Sequence, residues 1–220
     1  MPRIARATAG GLSYHVLNRG NGRARVFHKN EDYQAFIDLI AAASLRLPMR
    51  VLGYCLMPNH FHLMVRPFGN GELSTWMQWL MTSHVRRYHA HYQSSGHIWQ
   101  GRYKSFIVQT DEHLLTAMRY VERNALRAGL VKRAEDWRFG SLYWRTAGRK
   151  LDLLSDWPVK RPQRWREMVN RPQSQTELEA LRRCVQRGRP YGDQRWVKRA
   201  AKRYDLETTL RPLGRPKGGS

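Results

Sequence analysis

The sequence predicts an α+β fold of the ferredoxin-like type, in which an antiparallel sheet carries helices on one face. Short runs of β-branched and aromatic residues alternate with longer segments in which apolar residues recur every three or four positions. Over the first 130 residues these segments follow one another in the order β-α-β-β-α-β-α. The first six elements match the split βαβ arrangement of such sheets.

The first strand is predicted at residues 14–17, and the Asn- and Gly-rich segment 18–22 after it indicates a turn. Asn30 or Asp32 is suited to cap the next helix, because either side chain accepts a hydrogen bond from a free backbone N–H. The apolar stripe of that helix consists of Tyr33, Phe36, Ile37, Leu39 and Ile40.

A hairpin follows, with predicted strands at residues 49–57 and 60–66. Pro58 and Asn59 supply the corner between these strands, since both residue types favour turns. A second long helix is then expected over residues 74–92, where apolar residues again recur at helical spacing.

The compact part of the chain ends with a short strand at residues 106–108 and a third helix. Thr110 or Asp111 opens this helix, and Arg127 is its expected last residue. Gly129 stops it, because glycine readily adopts the left-handed conformation found after helices.

The chain is predicted to divide into a compact domain over residues 1–148 and a basic extension over residues 149–220. Arg-Pro pairs interrupt the extension, so we expect it to be only partly helical. Residues 214–220 are expected to form a flexible basic tail.

The charge of the chain points to an anionic partner. Its 220 residues include 39 Lys and Arg against 17 Asp and Glu, a formal net charge of +22. Such an excess repels itself in a compact body, so nucleic acid is the first candidate partner and an acidic membrane surface the second. The sequence contains no run of eighteen apolar residues, no apolar signal core and only two cysteines. We therefore expect a cytoplasmic, nucleoid-associated protein without a membrane partner.

The strongest chemical signal is Met-Pro-Asn-His-Phe-His-Leu-Met-Val at residues 57–65. His60 and His62 are two positions apart in a strand, so both project from one face while Phe61 and Leu63 face a core. Two neighbouring imidazoles can hold one divalent metal ion. An isolated His-x-His pair is more often two hydrogen-bonded histidines on a half-exposed strand.

Tyr120 and Asn124 lie four residues apart on the third helix and therefore share one of its faces. This helix is expected to pack on the sheet that presents the two histidines. A metal ion and the flanking Arg119 and Arg123 would favour the phenolate form of Tyr120, which can attack phosphorus and form a covalent intermediate. Because a helical tyrosine is usually a packing residue, this interpretation depends on the histidines.

Residues 57–65 resemble the His-hydrophobic-His motif of the single-tyrosine transposases that act on single-stranded DNA, and residues 120–130 resemble their nucleophile helix. Segments 14–21 and 99–105 are similar to one bacterial branch, the transposases associated with repetitive extragenic palindromic (REP) DNA. The resemblance covers roughly residues 10–145. It implies the fold of the His-hydrophobic-His (HUH) endonucleases for this part of the chain.

By this resemblance, His60 and His62 are ligands of Mg²⁺ or Mn²⁺, and Tyr120 is the catalytic nucleophile. Asn124 matches the position at which wider relatives carry a glutamine that completes the metal site. The branch usually has Asn-Pro where this chain has Asn124 followed by Ala125. Because proline disfavours helix in the residue before it, we expect the helix to run on here and to alter how Asn124 is presented.

The resemblance implies a metal-dependent single-strand DNA endonuclease and strand transferase that forms a 5′-phosphotyrosine intermediate. Its partner would be single-stranded DNA with a REP-like hairpin. No nucleotide cofactor is expected, because attack by a 3′-OH on the intermediate rejoins the strands. The branch is expected to act as monomers, whereas wider relatives form dimers.

Basic and aromatic residues near the predicted site are expected to contact DNA, since aromatic faces stack on unpaired bases and cations follow the phosphates. For the tryptophan among them, a core position is an equal alternative. The predicted DNA contacts are Arg19, Arg86, Arg87, Trp99, Arg102, Tyr103, Lys104, Arg123 and Arg127.

Two other functions fit the composition. A catalytically silent DNA- or RNA-hairpin-binding protein would show the same charge, but it would have no reason to keep His60, His62 and Tyr120 together. A basic RNA-binding domain is distinguished from a DNA-binding one only by competition between the two nucleic acids. A metalloprotease is disfavoured because the sequence lacks a His-Glu-x-x-His helix, and a membrane-surface role because it lacks a clear lipid-facing helix.

Overall fold

A computed structural model describes residues 6–146, 148 and 151–211. Its strands form one antiparallel sheet in the order β2-β3-β1-β4, which confirms the predicted ferredoxin-like topology. The strands are β1 (Ser13–Arg19), β2 (Met49–Met57), β3 (His60–Pro67) and β4 (Lys104–Val108).

Helices α1 (Asn30–Arg46) and α2 (Glu72–Tyr92) pack against each other and against one face of the sheet. The predicted stripe of α1 faces this core and is buried, except for the half-buried Leu39. The two helices of the split βαβ unit therefore lie on one face, as the sequence predicts.

The opposite face of the sheet is also covered, by α3 (Glu112–Glu122). Leu114 and Met118 of this helix join Leu52 and Met64 of the sheet in a second apolar cluster. The reason lies in β2, which is buried at eight of its nine positions and so needs a cover on both sides. The prediction of helices on one face of the sheet therefore holds for α1 and α2, whereas α3 covers the other face.

The third helix is shorter than predicted. Asp111 is its N-cap and accepts a hydrogen bond from the backbone N–H of His113, but the helix ends at Glu122. A separate turn, α4 (Asn124–Arg127), follows, so the expectation that the helix runs on is wrong. The Asn124 side-chain amide donates to the Tyr120 carbonyl at 3.0 Å, which is the acceptor that the Asn124 backbone N–H would use in a continuous helix.

The described part of the predicted extension packs against both edges of the sheet. The backbone N–H of Ser155 donates to the carbonyl of Val51, and the backbone N–H of Tyr191 donates to the carbonyl of Ile107. The helices after α4 are α5 (Ser141–Thr146), α6 (Trp165–Asn170), α7 (Gln175–Arg187) and α8 (Gln194–Arg203). Short 3-10 helices span Asn21–Arg23, Ala134–Asp136 and Glu207–Leu210.

The division of the chain after residue 148 stays a prediction, and the predicted tail at 214–220 lies outside the described residues. Across the described part of the chain, every helix is too short or too polar to cross a membrane.

Candidate active site

The start of β3 and the last turn of α3 bring together the two predicted metal ligands and the predicted nucleophile. His60 and His62 project from the same face of the sheet, with ring centroids 5.1 Å apart. The Tyr120 ring lies edge-on to His62 at a centroid distance of 5.7 Å. His60 is half-buried, and only 3% of His62 is exposed. The site therefore opens to solvent on the His60 side.

Each of these histidines is held through its Nδ1 atom. His60 Nδ1 lies 2.7 Å from Asn59 Oδ1, and His62 Nδ1 lies 2.9 Å from His15 Nε2. An amide oxygen only accepts hydrogen bonds, so His60 Nδ1 carries the proton and Nε2 keeps its lone pair. The same holds for His62 when His15 accepts at Nε2. Two oriented Nε2 nitrogens with hydrogen-bonded Nδ1 atoms fit a divalent metal site.

The surroundings keep these imidazoles neutral. Burial, with smaller contributions from the charges of Arg19 and Arg127, lowers the pKa of His60 to about 4. Burial and the neighbouring His15 and His60 hold the pKa of His62 well below its usual range. Neutral imidazole is the form that binds metal, so both side chains are ready to ligate at neutral pH.

Tyr120 is buried and is flanked by a different arginine from those predicted. The guanidinium carbon of Arg127 lies 4.3 Å from the centroid of the phenol ring. Only 6% of Tyr120 is exposed, and within the described part of the chain its hydroxyl has no hydrogen-bond partner. The phenol is thus held in place by its ring, while its oxygen is available for chemistry.

Arg119 and Arg123 turn away from the phenol, so the expectation that they flank it is wrong. Arg119 Nη2 donates to two backbone carbonyls at 2.8 Å, those of Arg171 and Pro172. Arg123 Nη1 donates to the carbonyl of Val169 at 2.9 Å and to that of the next residue. Both guanidinium groups cap the C-terminal end of α6, where the carbonyls lack helical partners. Arg123 is therefore occupied by packing rather than open to DNA.

Asn124 lies beside Tyr120, but the oxygen that would bind a metal ion is occupied. The side chain is 1% exposed, and its Oδ1 accepts a 2.5 Å hydrogen bond from Arg127 Nη2. The Asn124 amide nitrogen is bound to the Tyr120 carbonyl. In this conformation Asn124 Oδ1, the predicted third metal ligand, is therefore bound to the guanidinium group of Arg127.

The other predicted DNA contacts divide into accessible and buried residues. Trp99 is only 5% exposed and packs on Phe61 at a centroid distance of 5.2 Å, which favours the core alternative, while its stacking on DNA stays a prediction. Tyr103 carries the guanidinium of Arg6 on its ring at 4.4 Å. Arg87 is half-buried. The exposed members of the set are Arg19, Arg86, Arg102 and Lys104.

A groove of about 630 Å³ runs between α2 and the loop at residues 96–103. Its floor is apolar and includes Met77 and Met81, while Arg86 and Arg102 lie on its rim. No acidic side chain is among the described residues that line it. The groove has the composition expected of a surface for single-stranded nucleic acid.

Sequence reasoning missed the partners of the two histidines. His15 lies on β1, and the register of β1 with β3 sets Leu17 opposite His62. His15 is two residues from Leu17 and therefore projects from the same face of the sheet as His62. Strand alternation in residues 14–17 was the signal that places it there. From the sequence, Asn59 is expected only to form the corner between β2 and β3.

Two other groups of potential ligands do not join the site. Cys55 lies opposite His62, but burial raises the pKa of its thiol to about 12, so it stays protonated. Asp111, Glu112 and His113 lie close together at the start of α3, where Asp111 binds His113 as part of the helix cap.

Comparison with known proteins gives one family. The sequence model of the IS200-like transposases matches residues 8–124, which include the histidines, Tyr120 and Asn124. The chain is 24% identical over 107 residues to a Haemophilus influenzae protein assigned to the REP-associated tyrosine transposases, with 44% of this chain and 60% of that relative covered. It is also 24% identical over 136 residues to the REP-associated tyrosine transposase of Escherichia coli, with 61% and 78% covered.

A solved structure with the same fold is that of a REP-associated tyrosine transposase bound to a REP hairpin. The TM-score is 0.57 at 20% identity, and the match covers 73% of this chain and 93% of the other. The resemblance inferred from the four sequence motifs is thus confirmed.

Proposed function

Because this chain belongs to the IS200-like transposase family, we propose that it is a metal-dependent single-strand DNA endonuclease and strand transferase acting on REP-type hairpins. One observation carries the proposal: His60, His62 and Tyr120 meet at one end of the sheet, and both histidines are oriented through Nδ1. A protein that only binds hairpins has no need of this arrangement.

His60 and His62 would hold the metal through Nε2, with His15 and Asn59 fixing the rings. A bound Mg²⁺ or Mn²⁺ would act as a Lewis acid on the scissile phosphate and offset its developing charge. The protein itself supplies the neutral imidazoles and a site largely closed to water, in which such charges interact strongly.

Tyr120 is the proposed nucleophile. Its oxygen attacks phosphorus and forms a P–O bond to the 5′ side of the DNA, while the bond to the 3′ oxygen breaks. The phenol loses one proton and the leaving oxygen gains one, so the products are a 5′-phosphotyrosine and a free 3′-OH. Attack by a 3′-OH reverses the step without a nucleotide cofactor.

Hairpin DNA as the partner is supported by charge and accessibility. Arg19, Arg86, Arg102 and Lys104 are exposed; Arg19 acts on His60 by its charge, and Arg86 and Arg102 line the groove beside α2. The relative of similar fold was solved with a REP hairpin bound. We further propose that the protein acts as a monomer and, with its net charge of +22, resides on the nucleoid.

The proposal is tested with a panel of end-labelled single-stranded hairpins, incubated with Mg²⁺ or Mn²⁺ and separated on a denaturing gel. We expect a covalent protein–DNA adduct with wild type and with Tyr143→Phe, a control tyrosine on α5. The adduct should be absent with Tyr120→Phe, which keeps the ring but lacks the attacking oxygen, and absent when the metal is chelated. An adduct with Tyr120→Phe would contradict the assignment.

His60→Ala separates the enzyme from a silent hairpin-binding protein. We expect it to lose metal-dependent cleavage, by roughly 10²-fold or more, while hairpin affinity changes little because cations bind the DNA. Cleavage equal to that of wild type would remove His60 from the site. Tight hairpin binding by wild type without any adduct would favour the silent binder.

A further inference from the structure

Arg127 contacts both Asn124 and Tyr120 in the candidate site. Its Nη2 donates to Asn124 Oδ1 at 2.5 Å, and its guanidinium carbon lies 4.3 Å from the centre of the Tyr120 ring. Its Nη1 is buried and has no hydrogen-bond partner among the described residues. A buried donor of a charged group without a partner is unfavourable, so this guanidinium is incompletely satisfied in the free protein.

The position of Arg127 conflicts with a third metal ligand at Asn124. A metal ion bound by Asn124 Oδ1 would bring a second positive charge to an oxygen that already accepts a hydrogen bond from a cation. Two like charges so close repel each other strongly in a buried site. The repulsion is relieved when an anion comes between them or when the guanidinium moves.

The substrate supplies such an anion. A guanidinium group presents parallel N–H donors that match the oxygens of a phosphate, and the unpaired Nη1 gives Arg127 a free donor for this purpose. Arg127 and Asn124 lie three residues apart on the single turn α4, which starts after the break at Arg123. Gly129, with a φ of +70°, follows this turn. A change of partner by Arg127 therefore needs only side-chain rotation on one short element.

We propose that Arg127 couples metal binding to substrate binding by exchanging Asn124 for the scissile phosphate. Without DNA it occupies Asn124 Oδ1 and keeps the metal site at two ligands. When DNA enters, the guanidinium binds a non-bridging phosphate oxygen and releases Asn124 Oδ1 to the metal. The inference rests on the proposed function and adds to it a catalytic role for Arg127 and an order of assembly.

The exchange predicts opposite effects of one substitution on two measurements. Arg127→Met keeps an unbranched stem over the Tyr120 ring but removes the charge and the donors. Mn²⁺ affinity without DNA should therefore rise, by about tenfold for one adjacent charge. The rate of adduct formation at saturating Mn²⁺ should fall by roughly 10²-fold, because a contact to the transition-state phosphate is lost.

The first measurement is Mn²⁺ binding to the full-length protein without DNA, followed by electron paramagnetic resonance. Wild type, Arg127→Met, Asn124→Ala and the double variant form a cycle. The gain with Arg127→Met should disappear in the Asn124→Ala background. Arg46→Met is the control, since Arg46 is an exposed residue in the last turn of α1, on the face of the sheet opposite to the candidate site, and it should leave Mn²⁺ affinity unchanged.

Several outcomes would overturn the inference. Mn²⁺ affinity that is unchanged or weaker in Arg127→Met would show that Arg127 does not compete with the metal. If Arg127→Met also raises Mn²⁺ affinity in the Asn124→Ala background, Arg127 acts only through general charge repulsion. If Arg127→Met forms the adduct at the rate of wild type at saturating Mn²⁺, Arg127 does not contact the scissile phosphate in the transition state.

Arg127→Lys keeps the test valid if the methionine variant does not fold, which thermal melts would reveal. It retains the charge, so Mn²⁺ affinity without DNA should stay near that of wild type. The adduct rate should fall at least about tenfold, because lysine lacks the paired N–H donors of the guanidinium group. An adduct rate equal to that of wild type would overturn the inference. If wild type itself forms no adduct, the proposed function fails, whereas the Mn²⁺ cycle still decides whether Arg127 blocks Asn124.

Discussion

At the scale of single residues, the candidate site depends on how its histidines are oriented. His62 Nδ1 is bound to His15, a buried side chain whose own pKa is lowered by burial to about 3. His15 is therefore neutral and can accept at Nε2, which leaves the lone pair of His62 on Nε2, the atom that would bind a metal ion in the proposed site. The two imidazoles are thus uncharged at neutral pH, and the hydrogen bond between them fixes the orientation of the His62 ring.

His15→Ala is expected to weaken Mn²⁺ binding by about 10- to 100-fold, because the His62 ring loses its orienting hydrogen bond. Mn²⁺ titration followed by electron paramagnetic resonance measures this without reference to cleavage. His97→Ala, at an exposed position, serves as the control and should bind Mn²⁺ like wild type. Equal affinity of the His15 variant and wild type would show that the hydrogen bond does not support ligation.

At the scale of elements, close packing on the sheet and one buried carboxylate fix the position of α3. A Cβ on Gly53 would lie 2.4 Å from Met118 Cε, so the glycine in β2 leaves room for this side chain of α3 against the sheet. Glu122, two residues after Tyr120, accepts hydrogen bonds of 2.7 Å from Ser141 Oγ and Trp165 Nε1. These bonds connect the end of α3 to α5 and α6 and so hold Tyr120 over the histidines.

Burial raises the pKa of Glu122, and this has a consequence for stability. The folded state then holds a proton on Glu122 at pH values where the unfolded chain has lost it. Stability from this group is greatest at low pH and decreases as the pH rises from about 4.3, the unfolded value, through the raised folded value.

The comparison with Glu122→Gln isolates this contribution, since the amide does not titrate. We expect the free energy of unfolding of wild type, relative to the variant, to be more favourable at pH 5 than at pH 8. Urea unfolding at both pH values measures it. A difference between the two proteins that is independent of pH would contradict the raised pKa.

At the scale of the whole molecule, the described part of residues 151–211 packs against the body that carries the site. Ser155 and Tyr191 pair with opposite edges of the sheet, and Arg119 and Arg123 bind the end of α6. Part of the excess positive charge therefore serves internal packing. The exposed remainder is available to the phosphates of DNA.

Salt dependence of hairpin binding separates these two groups of cations. Arg102→Gln and Lys104→Gln should each reduce the slope of log affinity against log salt concentration by about 0.7–0.9, since each loses one phosphate contact. Arg123→Gln should leave the slope unchanged, because its guanidinium caps α6. Filter binding from low to moderate salt measures the slopes. A flat response of wild type would contradict an electrostatic interaction with DNA.

The sequence by itself determined the element order and the sheet topology, and it selected His60, His62 and Tyr120 as the candidate site. These features depend on local alternation and spacing: residues 49–57 and 60–66 match β2 and β3 within one residue, and the His-x-His pair must share a face of its strand. The sequence motifs also indicated the family.

Only the tertiary structure decided which side chains surround the catalytic residues. His15 comes from another strand, Trp99 turns into the core, and Arg127 rather than Arg119 or Arg123 lies on the phenol. Spacing along the chain predicts the face on which a residue lies, but the partner of a side chain depends on what packs against that face. Asn124 shows this most directly, because its own hydrogen bond to the Tyr120 carbonyl ends the helix that sequence reasoning extended.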